Sequence, residues 1–126
     1  MFTFTKKLYK MLEIAERPWG QYFVLADEAA YKLKKIIVNP GQRLSYQFHH
    51  HRQEFWTIVA GEAVVILEGK EIILKYGESI YIPCGAKHRI ENRSSQLLVF
   101  IEVQTGTYFG EDDIVRIQDD YMREDH

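Results

Sequence analysis

The chain has 126 residues, 46% of them hydrophobic, with a formal net charge of −2. That is one domain with enough apolar content to bury a core, and without the basic excess that a nucleic-acid or membrane-surface partner requires. The single cysteine, Cys84, has no partner for an intramolecular disulfide, which fits a reducing compartment and makes cytoplasm the expected location.

In chain order, Phe2 to Leu12 (FTFTKKLYKML) embeds lysines among its apolar residues and has no small-residue cleavage site. It reads as neither a signal peptide nor a membrane span but as an N-terminal arm, residues 1–12, before a domain at 13–126, with Met11 as an alternative start. Short runs rich in Val, Ile, Tyr and Phe follow. Strands are predicted at Gln21–Leu25, Tyr31–Val38, Arg43–His49, Phe55–Val59, Ala63–Leu67, Glu71–Leu74, Ser79–Ile82, His88–Glu91 and Leu97–Gln104. Between them lie turn signals such as Asn39-Pro40-Gly41, Glu68-Gly69 and Pro83-Cys84-Gly85. Many short strands at this spacing predict an all-β sandwich or barrel, and Ala63–Leu67 with Glu71–Leu74 reads as a hairpin. The one stretch with a possible helical period is Ile114 to Met122. The acidic C-terminal residues read as solvated chain.

Alternation within the strands is informative. From Arg43 to His51, Leu44, Tyr46 and Phe48 fall on one face, while Ser45, Gln47, His49 and His51 fall on the other. In Leu97 to Gln104, Leu98, Phe100, Glu102 and Gln104 share a face that begins apolar and ends in a carboxylate and an amide. Such a face suits a site at a barrel mouth, or equally a strand emerging into solvent.

Two clusters carry candidate chemistry. In Gln47 to Trp56 (QFHHHRQEFW), Gln47 and His49 project to the same side and Glu54 follows a short reversal of the chain. In Gly77 to Asn92 (GESIYIPCGAKHRIEN), His88 arrives after a Pro-Gly turn that directs it. Taken singly, three successive histidines also read as an exposed polar strand, and His88 as a surface residue. Together and in order, Gln47, His49, Glu54 and His88 form an open N/O site for a divalent ion: zinc foremost, with Co, Mn, Ni or Fe also suited.

These two patterns resemble the two motifs of the cupin superfamily, with Gln47 where most cupins carry the first histidine. The chain more closely resembles the type II mannose-6-phosphate isomerase family, whose members stand alone or form the C-terminal domain of bifunctional mannose-1-phosphate guanylyltransferases. The matching segments include Arg17-Pro18-Trp19-Gly20, Pro40-Gly41, His49-His50-His51-Arg52, Ile82-Pro83, Ile101-Glu102-Val103-Gln104 and Gly110-Glu111-Asp112-Asp113-Ile114-Val115-Arg116. They extend from Arg17 to Arg123. The resemblance departs at Phe55, where the family has histidine, at Glu62 and at Met122. Phe55 is expected to point away from Glu54.

The resemblance implies an all-β, single-domain cupin: a double-stranded β-helix, or jelly-roll barrel. It implies a metal-dependent isomerase interconverting mannose 6-phosphate and fructose 6-phosphate, feeding GDP-mannose and polysaccharide biosynthesis. Glu102 is then the candidate base, with His51 in reserve and Arg52 beside the ligands. Lys35, Lys87, Arg89, Gln104 and Arg116 are candidates for binding the sugar phosphate, and Trp19 and Tyr108 for walling its site. Two other readings are a non-catalytic sugar- or sugar-nucleotide-binding module, and a different cupin enzyme such as a dioxygenase. Outward aromatics such as Tyr46 and Phe48 need cover, so a homodimer through an outer sheet is expected.

Overall fold

Residues 12–121 are described in a computed structural model; the expectations that concern residues 1–11 and Met122 lie outside them. The strands are β1 (Glu13–Arg17), β2 (Gly20–Asp27), β3 (Tyr31–Val38), β4 (Tyr46–Phe48), β5 (Arg52–Ala60), β6 (Ala63–Leu67), β7 (Lys70–Leu74), β8 (Ser79–Ile82), β9 (His88–Glu91), β10 (Leu98–Gly106) and β11 (Val115–Gln118). They form two antiparallel sheets, ordered β1-β2-β3-β10-β5-β8 and β11-β4-β9-β6-β7. Among the described residues there is no helix, and none therefore long and apolar enough to cross a membrane.

Four predicted strands keep their limits, at β3, β6, β8 and β9. The predicted strand Arg43–His49 shortens to Tyr46–Phe48, with only an isolated bridge between Arg43 and Glu91 before it. The possible helical period from Ile114 is instead the edge strand β11, with Val115 opposite Phe48 and Arg116 opposite Gln47. β1 adds an unpredicted outer strand against β2. The predicted hairpin is β6–β7, turning on Glu68-Gly69 with Leu67 opposite Lys70.

Register stacks the interior in layers. Val38 lies opposite Leu98, Ile36 opposite Phe100, and Lys34 opposite Glu102. On the other side of β10, Phe100 faces Ile58, Glu102 faces Trp56 and Gln104 faces Glu54. At one end these layers close an apolar core that includes Ile58, Val65, Ile90, Leu98 and Phe100, all essentially without solvent exposure. Burial of each such side chain contributes about 1.5–3 kcal/mol. At the other end the same inward positions turn polar while remaining buried. That end holds the site.

Candidate metal centre

β4 ends at Phe48, so His49 stands one residue past the strand, and the chain reverses through His50 and His51 before β5. Alternation along β5 then turns Arg52, Glu54 and Trp56 inward. From the far sheet, the turn closed by Ala86 N donating to Pro83 O (3.1 Å) delivers His88 to the start of β9. Gly85 N donates to His49 O (2.9 Å), which ties the two ligand-bearing loops together. The donor atoms of His49, Glu54 and His88 consequently lie within 4.8 Å of one another, all on buried residues. Gln47 pairs with His88 across β4 and β9 and, with Glu54, lines a cavity beside them.

Each imidazole is aimed by the backbone. His49 Nδ1 donates to Asp113 O (2.7 Å) and His88 Nδ1 to Ala86 O (2.8 Å). A carbonyl only accepts, so each Nδ1 carries a proton and, in the neutral ring, each Nε2 presents a lone pair inward. Both Nε2 atoms are buried and without a hydrogen-bond partner. His49 Nε2 is 3.2 Å from Glu54 Oε2 and His88 Nε2 is 3.8 Å from Glu54 Oε1, neither with hydrogen-bond geometry. Unsatisfied buried polar atoms are costly in a merely packed interior. Two imidazole nitrogens converging on a carboxylate are the donor set that a divalent cation accepts, so the residues present fit such an ion.

A buried hydrogen-bond chain runs on from these residues. Arg52 Nε donates to Glu54 Oε2 (2.9 Å) and Trp56 Nε1 to Glu54 Oε1 (3.1 Å). Trp56 Nε1 is shared with Glu102 Oε1 (3.1 Å), and Gln104 Nε2 donates to Glu102 Oε2 (2.9 Å). Burial works to raise the Glu54 carboxyl, yet His49 and Arg52 beside it hold it well below the usual range. Burial, then the neighbouring Glu54 charge, pushes Glu102 up to about 8. Burial pushes the His88 imidazole down to about 4. Two carboxyls in one pocket are thus driven apart in acidity.

Beside these groups the cavity keeps about 60 Å³ of free interior, room for an ion and a water or two. Lys34 Nζ donates to Glu111 Oε2 (3.1 Å) and lies 4.2 Å over the Tyr22 ring. Arg52 reaches the same Glu111 oxygen at 3.9 Å. Arg17, Arg116 and Trp19 complete much of the wall.

Residues 5–119 match the family model described as mannose-6-phosphate isomerase C-terminal. The chain belongs to that family. It is 49% identical over 107 residues to a mannose-1-phosphate guanylyltransferase of Salmonella montevideo, covering 85% of this chain and 23% of that protein. The chain therefore spans less than a quarter of this relative's length. Among solved structures, the capsular polysaccharide assembling protein CapF of Staphylococcus aureus superposes with a TM-score of 0.74 at 20% identity, covering 90% of this chain and 33% of CapF. A sugar phosphate isomerase of the cupin superfamily from Silicibacter pomeroyi gives a TM-score of 0.65 at 18% identity, covering 78% of this chain and 75% of that one. The fold is the cupin double-stranded β-helix expected from the sequence.

Within this cupin, Gln47, His49, Glu54, His88, Arg52, Glu102, Gln104 and Arg116 come together around or beside the cavity. Other expected residues do not. His51 follows the end of β4, is exposed, and packs edge-on against Tyr108, itself outside the cavity. Lys35 follows inward Lys34 and so faces out, its ammonium 4.9 Å over the Phe23 ring. Lys87 is exposed, its backbone N–H donating to Glu68 Oε1 (2.7 Å). Arg89, next to inward His88, turns to the outer groove and donates to Leu44 O (3.0 Å) and Gln118 Oε1 (3.0 Å). Phe55 points out and is 42% exposed, so the departure from the family's histidine there does not touch the ligand set. The sequence reading missed Lys34, Glu111, Arg17 and Tyr22. For Lys34, the parity of the buried positions Ile36 and Val38 on β3 is the signal that finds it.

Proposed function

We propose that this domain is a metal-dependent sugar-phosphate isomerase that interconverts mannose 6-phosphate and fructose 6-phosphate, supplying sugar for GDP-mannose formation. The observation that carries this reading is the pair of buried, unpartnered imidazole nitrogens facing Glu54. His49, His88 and Glu54, with Gln47 as a fourth ligand, hold one divalent ion, zinc in the first instance. When bound, such an ion supplies Lewis-acid stabilisation of negative charge on the sugar oxygens.

The protein's own groups do the rest. Glu102, level with Trp56 on the neighbouring strand, moves a proton between C1 and C2 of the sugar. Trp56 and Gln104 hold its two oxygens in place. Lys34, Arg17 and Arg116 take the phosphate, arginine through its forked donors. The small free volume requires the segment carrying Glu111 to give way as sugar enters, and the phosphate then takes the place of that carboxylate on Lys34.

The small volume also favours a second reading, a module that binds a sugar phosphate or sugar nucleotide without converting it. A coupled assay on zinc-, cobalt- or manganese-loaded protein separates the two. Conversion of mannose 6-phosphate that Glu102→Gln reduces by about 10²-fold or more supports the isomerase. Saturable binding without conversion supports the module and overturns the enzyme.

A further inference from the structure

β1 carries Glu13, Ala15 and Arg17 on one parity, and register sets Ala15 opposite Tyr22 of β2 and Tyr22 opposite Ile36 of β3. Tyr22 is therefore an inward residue, 4% exposed, and lines the cavity together with Arg17, Lys34 and Glu111. Its surroundings are not those of a plain core aromatic. Arg17 Nη2 donates to its hydroxyl (3.2 Å), and the hydroxyl donates to Glu13 Oε1 (3.3 Å). The Arg17 guanidinium carbon lies 5.0 Å from the ring centroid and the Lys34 ammonium 4.2 Å from it. Burial, then the nearby Glu111 charge, pushes the hydroxyl up to about 12, so it stays protonated at neutral pH and keeps both bonds.

Two cations drawn to one ring repel each other, and the negative face of the ring offsets that repulsion without neutralising either charge. Lys34 is held from two sides, by the Glu111 carboxylate at 3.1 Å and by this ring. An anion that replaces Glu111 removes the first support and leaves the second. We infer that Tyr22 is a positioning residue of the phosphate subsite: its ring and hydroxyl hold Lys34 and Arg17 at one wall of the cavity, where both meet the same anion. This rests on the reading of Lys34 and Arg17 as the phosphate's partners. Tyr22 acts through these two cations and not on the reacting carbons. It also gives the outer strand β1, poor in apolar residues (EIAER), a reason to be there, since β1 brings Arg17 and Glu13 to the hydroxyl.

Calorimetric titration of the full, zinc-loaded chain with inorganic phosphate and with mannose 6-phosphate tests this, beside zinc affinity from chelator competition. Tyr22→Leu is expected to weaken both anions by about tenfold, and Tyr22→Phe, which keeps the ring, by about two- to threefold, with zinc affinity within about twofold of wild type. Where conversion is measured, KM rises in the same proportion and kcat holds. Replacing Tyr22 with a trifluorinated phenylalanine preserves shape and packing but drains the ring face. It is expected to weaken phosphate by a further threefold or so beyond Tyr22→Phe, and it decides the matter even if Tyr22→Leu does not fold. Equal phosphate affinity in the Phe and trifluorinated variants overturns the proposal. So does a Tyr22→Leu variant that loses zinc affinity and kcat in step with phosphate, the result of plain packing. A chain that binds phosphate in this graded way but converts no sugar supports the role of Tyr22 and defeats the isomerase alone; a wild type that binds neither anion overturns both.

Discussion

Asp113 links the segment Gly110 to Arg116 to the candidate metal centre, and replacing it is the most informative perturbation. Its carboxylate oxygens accept from His50 N and His51 N, at 2.9 Å each, while its carbonyl receives His49 Nδ1 (2.7 Å). One buried residue thus holds both the reversal that follows β4 and the ring that the reversal carries. A hydrogen bond to a charged acceptor contributes about 1.5–3 kcal/mol, and an amide left without a partner costs a similar amount. Asp113→Ala removes two such bonds, and partial solvation of the freed amides brings the expected loss of stability in the metal-free protein to about 2–4 kcal/mol. Asn retains one acceptor oxygen, so Asp113→Asn is expected to lose about half as much. Loosening His49 is expected to weaken metal binding by about 10–100-fold, the usual scale for an outer partner of a liganding histidine. Urea unfolding of the metal-free variants reads the first quantity, and competition of zinc or cobalt against a chromophoric chelator reads the second. Asp112→Ala is the control: this exposed neighbour bonds only the Tyr108 hydroxyl among the contacts seen, and about 0.5 kcal/mol or less is expected. An Asp113→Ala variant with wild-type zinc affinity refutes the reasoning, because His49 would then be aimed by something other than this segment.

Three further outcomes follow from particular contacts. Gly61→Ala is expected to cost about 2–4 kcal/mol in thermal or urea unfolding, since φ is +80° and a Cβ there would meet Leu97 O at 2.6 Å; Gly41→Ala, with a similar φ and open space around it, is expected to cost only about 1 kcal/mol. Burial works to raise Glu91, but hydrogen bonds from Arg43 and Arg93 hold its carboxyl below its ordinary value. Its contribution is therefore complete above the unfolded value of 4.5 and is lost as pH falls through the folded one. Glu91→Gln is expected to flatten that acid limb of the stability curve, and parallel wild-type and variant curves there would contradict this assignment. Lys34→Met is expected to weaken binding of mannose 6-phosphate by about tenfold or more in calorimetric titration, and Lys35→Met by less than about twofold; equal effects would mean that the inward parity of β3 does not select the anion contact.

How far the sequence could be read depended on whether the two faces of a strand differ. In Leu97 to Gln104 the inward positions change from Leu98 and Phe100 to Glu102 and Gln104, and the structure buries all four. In Tyr31–Val38 the pattern is ambiguous, because Leu33 and Ile37 make the outer face nearly as apolar as Ile36 and Val38 make the inner one. Lysines occur on both parities, and so Lys35 was expected where Lys34 stands. Glu13–Arg17 (EIAER) has too few apolar residues to announce an edge strand. Val115–Gln118 is four residues long with Ile114, Val115 and Ile117 in a spacing that suits either period; its pairing with β4 is a tertiary decision. The convergence of His49, Glu54 and His88 was legible because their spacing is imposed locally, by a reversal after His49 and a turn before His88.

The same ambiguity bears on how the sheet holds its register. A slip of one residue exchanges the faces of a strand, and burial resists this only when one face is much more apolar than the other. On β5 that contrast is weak at its outer end, where Phe55 and Val59 face out while Trp56 and Ile58 face in. The inward polar residues supply the missing discrimination. In register, Arg52, Glu54, Trp56, Glu102 and Gln104 are joined in one buried hydrogen-bond chain within the barrel. Slipped by one, β5 would expose that network and leave Glu102 and Gln104 facing Phe55 with buried polar atoms unmatched, at several kcal/mol. Polar groups suited to a cation and a proton transfer therefore also specify the strand alignment. This is why the outer faces of β5 and β10 are free to be apolar: the register that burial would otherwise have to select is already chosen from within.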